Sequence, residues 1–234
     1  MLGIWKRCSP NQRKAVGLGM ALKLFLVCAF VMCASFGFAT TPPAELNQKE
    51  LAKVTNKELI IHSKEIAKCP WPELTVFALI DASPVEAAAV FSNYEDQKKY
   101  IPDLVKSDPA RRVAQNETIV NFEMRLPWPL ANSRYSTGNI FNRLENDKYE
   151  ICWYLVESDS LIDSKGTVQF IPYGNKTLLK YQAFVHPGSR LASIFSSRAK
   201  ATITKTVQAI VSYIEEVRKK NPEKTQDLVN SLHK

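Results

Sequence analysis

The sequence predicts an α+β fold in which a run of antiparallel strands is followed by one long helix. Three observations predict it. Several segments between residues 105 and 185 alternate apolar and polar side chains with the period-two spacing of strands that have one wet face. A capped helix start, Ser83-Pro84-Val85-Glu86, precedes them. An apolar stripe at helical spacing (Leu191, Ile194, Phe195, Ile203, Val207, Ile210, Ile214 and Val217) follows them.

The chain begins with a segment of its own. Residues 1–39 carry Lys6, Arg7, Arg13, Lys14 and Lys23 and no acidic residue. An uncharged run, Leu24 to Ala39, ends on Gly37-Phe38-Ala39 and meets Thr40-Thr41-Pro42-Pro43. A basic stretch, an apolar core and small residues before a polar start make the layout of an export signal, with cleavage after Ala39. The run is shorter than the roughly 20 residues a spanning helix needs. Cleavage would leave the mature chain exported, periplasmic or secreted. The alternative is an uncleaved membrane anchor over residues 15–39, with its basic end in the cytoplasm.

Residues 40–57 form a polar lead-in with spaced Leu46, Leu51 and Val54, either a short helix or a loose segment. Leu59-Ile60-Ile61 starts a strand, and Cys69-Pro70-Trp71-Pro72 ends it, since proline cannot donate to a ladder. Leu74 to Ala82 is a second strand, and the two fit an edge hairpin. The helix capped by Ser83 and Glu86 runs to about Ser92; a second short helix covers Glu95 to Tyr100 and stops at Ile101-Pro102.

Six strands follow, near Val105–Ala114, Glu117–Leu126, Ser133–Leu144, Tyr149–Glu157, Ser164–Ile171 and Thr177–Val185, the last two joined by Tyr173-Gly174-Asn175. Thr118, Val120, Phe122 and Met124 share one face; so do Tyr149, Ile151, Trp153 and Leu155, and Leu179, Tyr181, Ala183 and Val185. A helix from about Arg190 to Lys219, at about 1.5 Å per residue, is on the order of 45 Å long and can lie across a whole sheet. Asn221-Pro222 ends it, leaving a polar C-terminal tail over 221–234 with a frayed helix as the alternative. The folded domain thus spans 58–220.

Composition narrows the function. Of 234 residues, 45% are hydrophobic and 23% charged, a globular balance. The net charge of +8 would suggest a polyanion partner, but the first 39 residues hold five of the excess basic groups. The remainder has 26 basic and 23 acidic side chains, a net +3, which argues against nucleic acid. Cys152 sits in an apolar strand pattern and reads as a buried free thiol. No G-x-S-x-G elbow, phosphate-cradling glycine loop, HExxH or EF-hand pattern is present, and His62, His186 and His233 are scattered. Neither a metal nor another cofactor is expected.

Several stretches carry a resemblance. Phe77 to Phe91 (FALIDASPVEAAAVF) is similar to a strand, a "D-A-S-P-E" helix start and its helix. Asn93 to Leu104 is similar to "D-x-E-x-Y-x-x-W-x-P", with Tyr100 or Ile101 at the tryptophan. Pro127 to Tyr135 (PWPLANSRY) resembles "P-W-P-L-S-N-R-D-Y", the Arg-Asp falling on Ser133 and Arg134. Gly166 to Pro172, the turn to Asn175 and His186-Pro187-Gly188 resemble a closing hairpin and the loop before a last helix. Over about residues 58–219 the chain thus resembles the START/Bet v 1-like superfamily (SRPBCC, polyketide cyclase-type).

The resemblance implies a helix-grip fold: a curved antiparallel sheet wrapped around a long C-terminal helix, with two short helices near the start. Such a fold encloses a cavity, and apolar cavities take apolar ligands. The implied function is binding, and transfer, of a lipid, sterol, isoprenoid or polyketide-like molecule by a monomer. Phe122, Met124, Tyr135, Trp153, Phe170, Tyr181, Phe195 and Ile203 are the expected lining, with Arg134 and Glu123 as polar anchors. The helices after Pro84 and residues 189–196 are the expected gates. Arg190, Arg198, Lys200 and Lys205 would aid transient membrane contact. The alternative is a cavity enzyme of the polyketide cyclase/dehydratase type, for which Tyr135, Tyr154, Tyr181 and Arg134 would be the residues to examine.

Overall fold

In a computed structural model, alternation along the chain builds one eight-stranded antiparallel sheet, in the order β1-β2-β8-β7-β6-β5-β4-β3. The structure describes residues 45–129, 131–188 and 196–232, all within the compact unit Thr40–Lys234. The strands are β1 (Ile60–Lys64), β2 (Glu73–Ile80), β3 (Leu104–Ala114), β4 (Glu117–Met124), β5 (Ser133–Arg143), β6 (Tyr149–Ser158), β7 (Leu161–Tyr173) and β8 (Lys176–Pro187). The helices are α1 (Gln48–Thr55), α2 (Pro84–Ser92), α3 (Tyr94–Tyr100), α4 (Ser196–Lys220) and α5 (Pro222–Ser231). This is the α+β, helix-grip architecture expected from the sequence. The expectations on residues 1–39 and on Phe195 lie outside the described residues.

Local chemistry explains the starts and turns. The Ser83 side chain accepts from the Glu86 amide while Glu86 accepts from the Ser83 amide, and Pro84 occupies the first helical turn of α2. Asn47 and Glu50 make the same reciprocal cap on α1. That cap resolves the lead-in as a helix. Leu46 and Val54 pack on Phe77, Leu79 and Leu178 of the convex side of the sheet. Gly174, at φ 59, takes the left-handed position that joins β7 to β8.

The register shows which side chains share a face. Val168 pairs with Tyr181 and Phe170 with Leu179, while Ile151 pairs with Val168 and Tyr149 with Phe170. All six point to the concave side, where α2 and α4 lie. Val207, Ile210, Ile214 and Val217 of α4 join Val76, Ala78, Ile80, Ile151, Val168, Phe170 and Leu179 in the main core. The part of the apolar stripe from Ile203 to Val217 is therefore the gripping face of α4, while Leu191, Ile194 and Phe195 lie outside the described residues.

Two sequence readings are corrected. Of the two readings of the residues after Asn221, the helix holds, and it is docked rather than frayed: Pro222–Ser231 is a helix, with Thr225 buried and Leu228 packed on the core. Its polar composition hid this, because Lys224 is held by a buried carboxylate rather than by apolar contact. Cys152 is completely buried but is not a free thiol. Among the described residues no helix is long and apolar enough to cross a membrane.

The carboxylate that holds Lys224 is Asp96 of α3. It accepts from Lys224 at 2.6 Å, from the Tyr213 hydroxyl at 2.8 Å and from Asn93 at 3.0 Å, and Lys99 also bonds it. It therefore ties α3, α4 and α5 together. Burial alone would raise its pKa, but the bonds from Lys224, Lys99 and Tyr213 outweigh burial and hold it at about 2. A depressed carboxyl contributes stability above its unfolded pKa and loses it as pH falls through the folded value. Asp96→Asn is expected to lower stability at neutral pH by on the order of 2 kcal/mol. Urea unfolding of both proteins from pH 7 down to pH 2 should show the difference shrinking between about pH 4 and pH 2.

Candidate functional site

The concave face is not filled evenly. Toward the turns at 144–148 and 173–175, Tyr149, Ile151, Val168, Phe170 and Leu179 are buried under α2 and the C-terminal half of α4. Toward the other end, Phe122, Met124, Tyr135, Trp153, Leu155, Tyr181, Ala183 and Val185 occupy the same face of their strands but are only half-buried. Ile203 of α4, also half-buried, packs against the margin of the core. The sheet thus has a packed half and an open half.

Aromatic rings form the wall of the open half. Phe122 and Tyr135, neighbours across β4 and β5, stack with ring centroids 5.4 Å apart. Trp153 and Tyr181 meet at 5.4 Å across β7. They can meet because Gly166 lies between their strands, paired with Trp153 on one side and Ala183 on the other. A Cβ on Gly166 would fall 1.9 Å from the Trp153 ring and 2.5 Å from the Gln182 carbonyl oxygen. The missing side chain is the seat of the indole. Tyr100 of α3 stacks on Tyr213 of α4 at 4.2 Å and completes the wall.

Polar groups on this face are few and neutral. The Asn139 amide nitrogen donates to the Thr137 hydroxyl at 2.8 Å and carbonyl at 3.1 Å. Ser133 shares a hydroxyl hydrogen bond with Ser160. The hydroxyls of Tyr100, Tyr135 and Tyr181 make no hydrogen bond among the described residues. Burial pushes Tyr135 up to about 12, and raises Tyr181 and Tyr100 as well. All three stay protonated donors at any physiological pH. Tyr181 also feels Tyr135, and Tyr100 feels Tyr181, so the three phenols share one neighbourhood.

The sequence-derived candidates separate on this geometry. Phe122, Met124, Tyr135, Trp153, Tyr181 and Ile203 gather at the open half. Phe170 faces the same side but is 0% exposed and tilted against Phe91, 5.8 Å away, so it belongs to the packed core. Arg134 does not face the concave side. It pairs across from Glu123 on the convex face and donates to it at 3.2 Å, and Glu123 also accepts from Asn132. Neither is a cavity anchor, because Ser133 and Tyr135 take the inward positions and strand alternation turns Arg134 outward. Tyr154 is likewise convex, donating to Glu117. Tyr100, Thr118 and Asn139 were not singled out as lining. The parity they share with Thr137 and Val120 would have found the last two, but nothing local marks Tyr100 as facing the sheet.

The open half ends at a rim. The start of β5 meets the hairpin tip of β6 and β7 through Ser133–Ser160 and the Arg134 amide to Asp159 at 3.0 Å. On this rim Trp128 is 92% and Ile162 62% exposed. His186 bonds the Lys68 carbonyl and His62 bonds Glu50, well apart in the sheet. Among the described residues no group of three or more His, Cys, Asp or Glu could hold a metal ion.

No protein-family model matches the chain. No curated protein matches it either. Solved structures do. A fragment of the STAR-related lipid transfer protein of Xanthomonas axonopodis is 14% identical with a TM-score of 0.61, over 67% of this chain and 93% of that one. Human StAR-related lipid transfer protein 5 is 8% identical with a TM-score of 0.58, over 68% and 83%. The Zhui aromatase/cyclase of Streptomyces sp. R1128 is 10% identical with a TM-score of 0.54, over 64% and 96%. At these identities the likeness shows the fold, which is START/Bet v 1-like.

If Gly166 seats Trp153, then Gly166→Ala should cost about 1–3 kcal/mol by forcing the indole and the β8 backbone apart. Thermal unfolding measures the cost. The near-ultraviolet circular dichroism of the Trp153–Tyr181 pair should weaken in the same variant.

Proposed function

We propose that this protein binds a lipid or other hydrophobic molecule between the open half of the sheet and the beginning of α4, and carries it between membranes. The observation that carries the reading is the unequal filling of one continuous concave face. Among the described residues, Phe122, Tyr135 and Trp153 have the strand positions of core residues but lack the helix packing that buries Phe170 and Ile151, and Tyr181 stands at the margin of that core. Half-buried aromatic surface of this extent is stabilised by an apolar ligand that displaces poorly satisfied water. The lipid-transfer descriptions of two proteins with the same fold support the reading.

Binding is a better fit than catalysis. Proton transfer near neutral pH needs a group that titrates there. The phenols of the open half are held far above that range by burial. The exposed side chains suit a membrane contact: Trp128 offers a large amphipathic ring to solvent, and Ile162 is an exposed apolar residue. Residues 1–39 fit the same picture, as an export signal or an anchor that keeps the chain at a membrane.

The direct test is native purification followed by solvent extraction and mass spectrometry. A single lipid class at near-stoichiometric amount is the expected result. Absence of bound lipid, with no thermal shift on adding fatty acids, sterols, quinones or phospholipids, would sink the proposal. Recovery of a chemically altered ligand would point instead to a cavity enzyme. For the rim, Trp128→Ala should weaken sedimentation with phosphatidylcholine vesicles about fivefold without moving the unfolding temperature. Unchanged sedimentation would remove the rim from the membrane contact.

A further inference from the structure

The concave positions of β4 to β8 carry a consistent chemical message. In the open half they hold Thr118, Phe122, Met124, Ser133, Tyr135, Thr137, Asn139, Trp153, Leu155, Ser164, Gly166, Tyr181, Ala183 and Val185, and no charged side chain among the described residues. Charged residues are frequent on these strands, but alternation sends them elsewhere. Glu123 and Arg134 face each other on the convex side. Glu150 is bonded by Gln169 there, and Lys180 reaches Glu45. Arg143, at a concave position, stands at the far, packed end, where it is exposed and paired with Asp147. What the open half offers instead is neutral hydrogen-bonding capacity at the free phenols of Tyr100, Tyr135 and Tyr181.

We infer that the ligand is electrically neutral where it meets the sheet, and that its polar group is a hydroxyl or carbonyl oxygen bonded by the phenols of Tyr135 and Tyr181. This rests on the hydrophobic-ligand reading above and narrows it. A carboxylate, sulfate or phosphate brought against this wall would be stripped of water and meet no cation among the described residues of β4 to β8, and Arg112, opposite Thr118 on β3, is exposed and donates to the Gln115 carbonyl. An ammonium would meet no carboxylate. A plain hydrocarbon would leave two phenols buried without partners, which is unfavourable for the same reason. A neutral oxygen satisfies both conditions. A carbonyl accepts from a phenol, and a hydroxyl also donates to the phenol oxygen of the second tyrosine.

The test uses paired probes that share a hydrocarbon and differ in charge: cholesterol with cholesterol sulfate, and hexadecanol with palmitate and hexadecylamine. Equilibrium binding of each radiolabelled probe is measured on the full chain. The neutral member of at least one pair should bind about tenfold or more tighter than its charged counterparts. Equal or tighter binding of the sulfate, carboxylate or amine would overturn the neutrality inference while leaving the hydrophobic-ligand reading standing. Failure of every probe to bind would count against that reading itself, and this inference would fall with it. Tyr135→Phe and Tyr181→Phe keep the ring and remove only the hydroxyl. Each should weaken the preferred neutral probe about fivefold to tenfold without lowering the unfolding temperature. Unchanged affinity in both variants would overturn the assignment of the phenols.

Discussion

The grip of α4 on one half of the sheet is the constraint from which the rest follows. Val207, Ile210, Ile214 and Val217 place four buried side chains against Val76, Ala78, Ile80 and Leu179. Each such burial contributes about 2 kcal/mol before entropy is counted. Because these residues lie in the C-terminal part of α4, the helix fills the concave face only toward the 144–148 and 173–175 turns. The strands continue past the packed region for several residues. Their inward side chains are then left with a partly open space above them, and that space is the candidate site.

Polar contacts reinforce the same end. Asp96 bonds Tyr213 and Lys224. The Asp81 amide donates to Glu215 at 2.9 Å, and Arg218 donates to the Asp81 carbonyl at 2.9 Å and to Glu86. Glu86 is also the capping residue of α2, so a single carboxylate starts one helix and fastens another. Exposed ion pairs such as Lys57–Asp81 add little on their own. The buried Asp96 cluster is different, because its carboxylate has left water and depends on all its donors.

Much of this was legible in the sequence, and the part that was not has a physical reason. Period-two alternation set the faces of β4, β6 and β8 correctly, since a one-residue slip would bury Glu123 and expose Phe122. The capping pattern located α2, and the stripe located α4. Alternation could not separate Phe170 from Phe122. Both are aromatic residues at inward positions, and only the three-dimensional reach of α4 makes one core and the other wall. Arg134 was assigned inward on motif alignment, although the parity that places Tyr135 inward excludes its neighbour. Alternation was the stronger constraint there. The docking of α5 was illegible because it rests on Lys224 and Thr225, polar residues that look solvated until Asp96 is placed opposite them.

The distribution of anchors also shows which part of α4 the fold depends on. The described bonds from α4 to other elements, through Tyr213, Glu215 and Arg218, all lie beyond residue 207. Before that point Ile203 is the described contact with the core. Displacing the last turns would break the main core and the Asp96 cluster together. The C-terminal half of α4 is thus the part whose contacts the fold cannot lose, since the main core and the Asp96 cluster both depend on it.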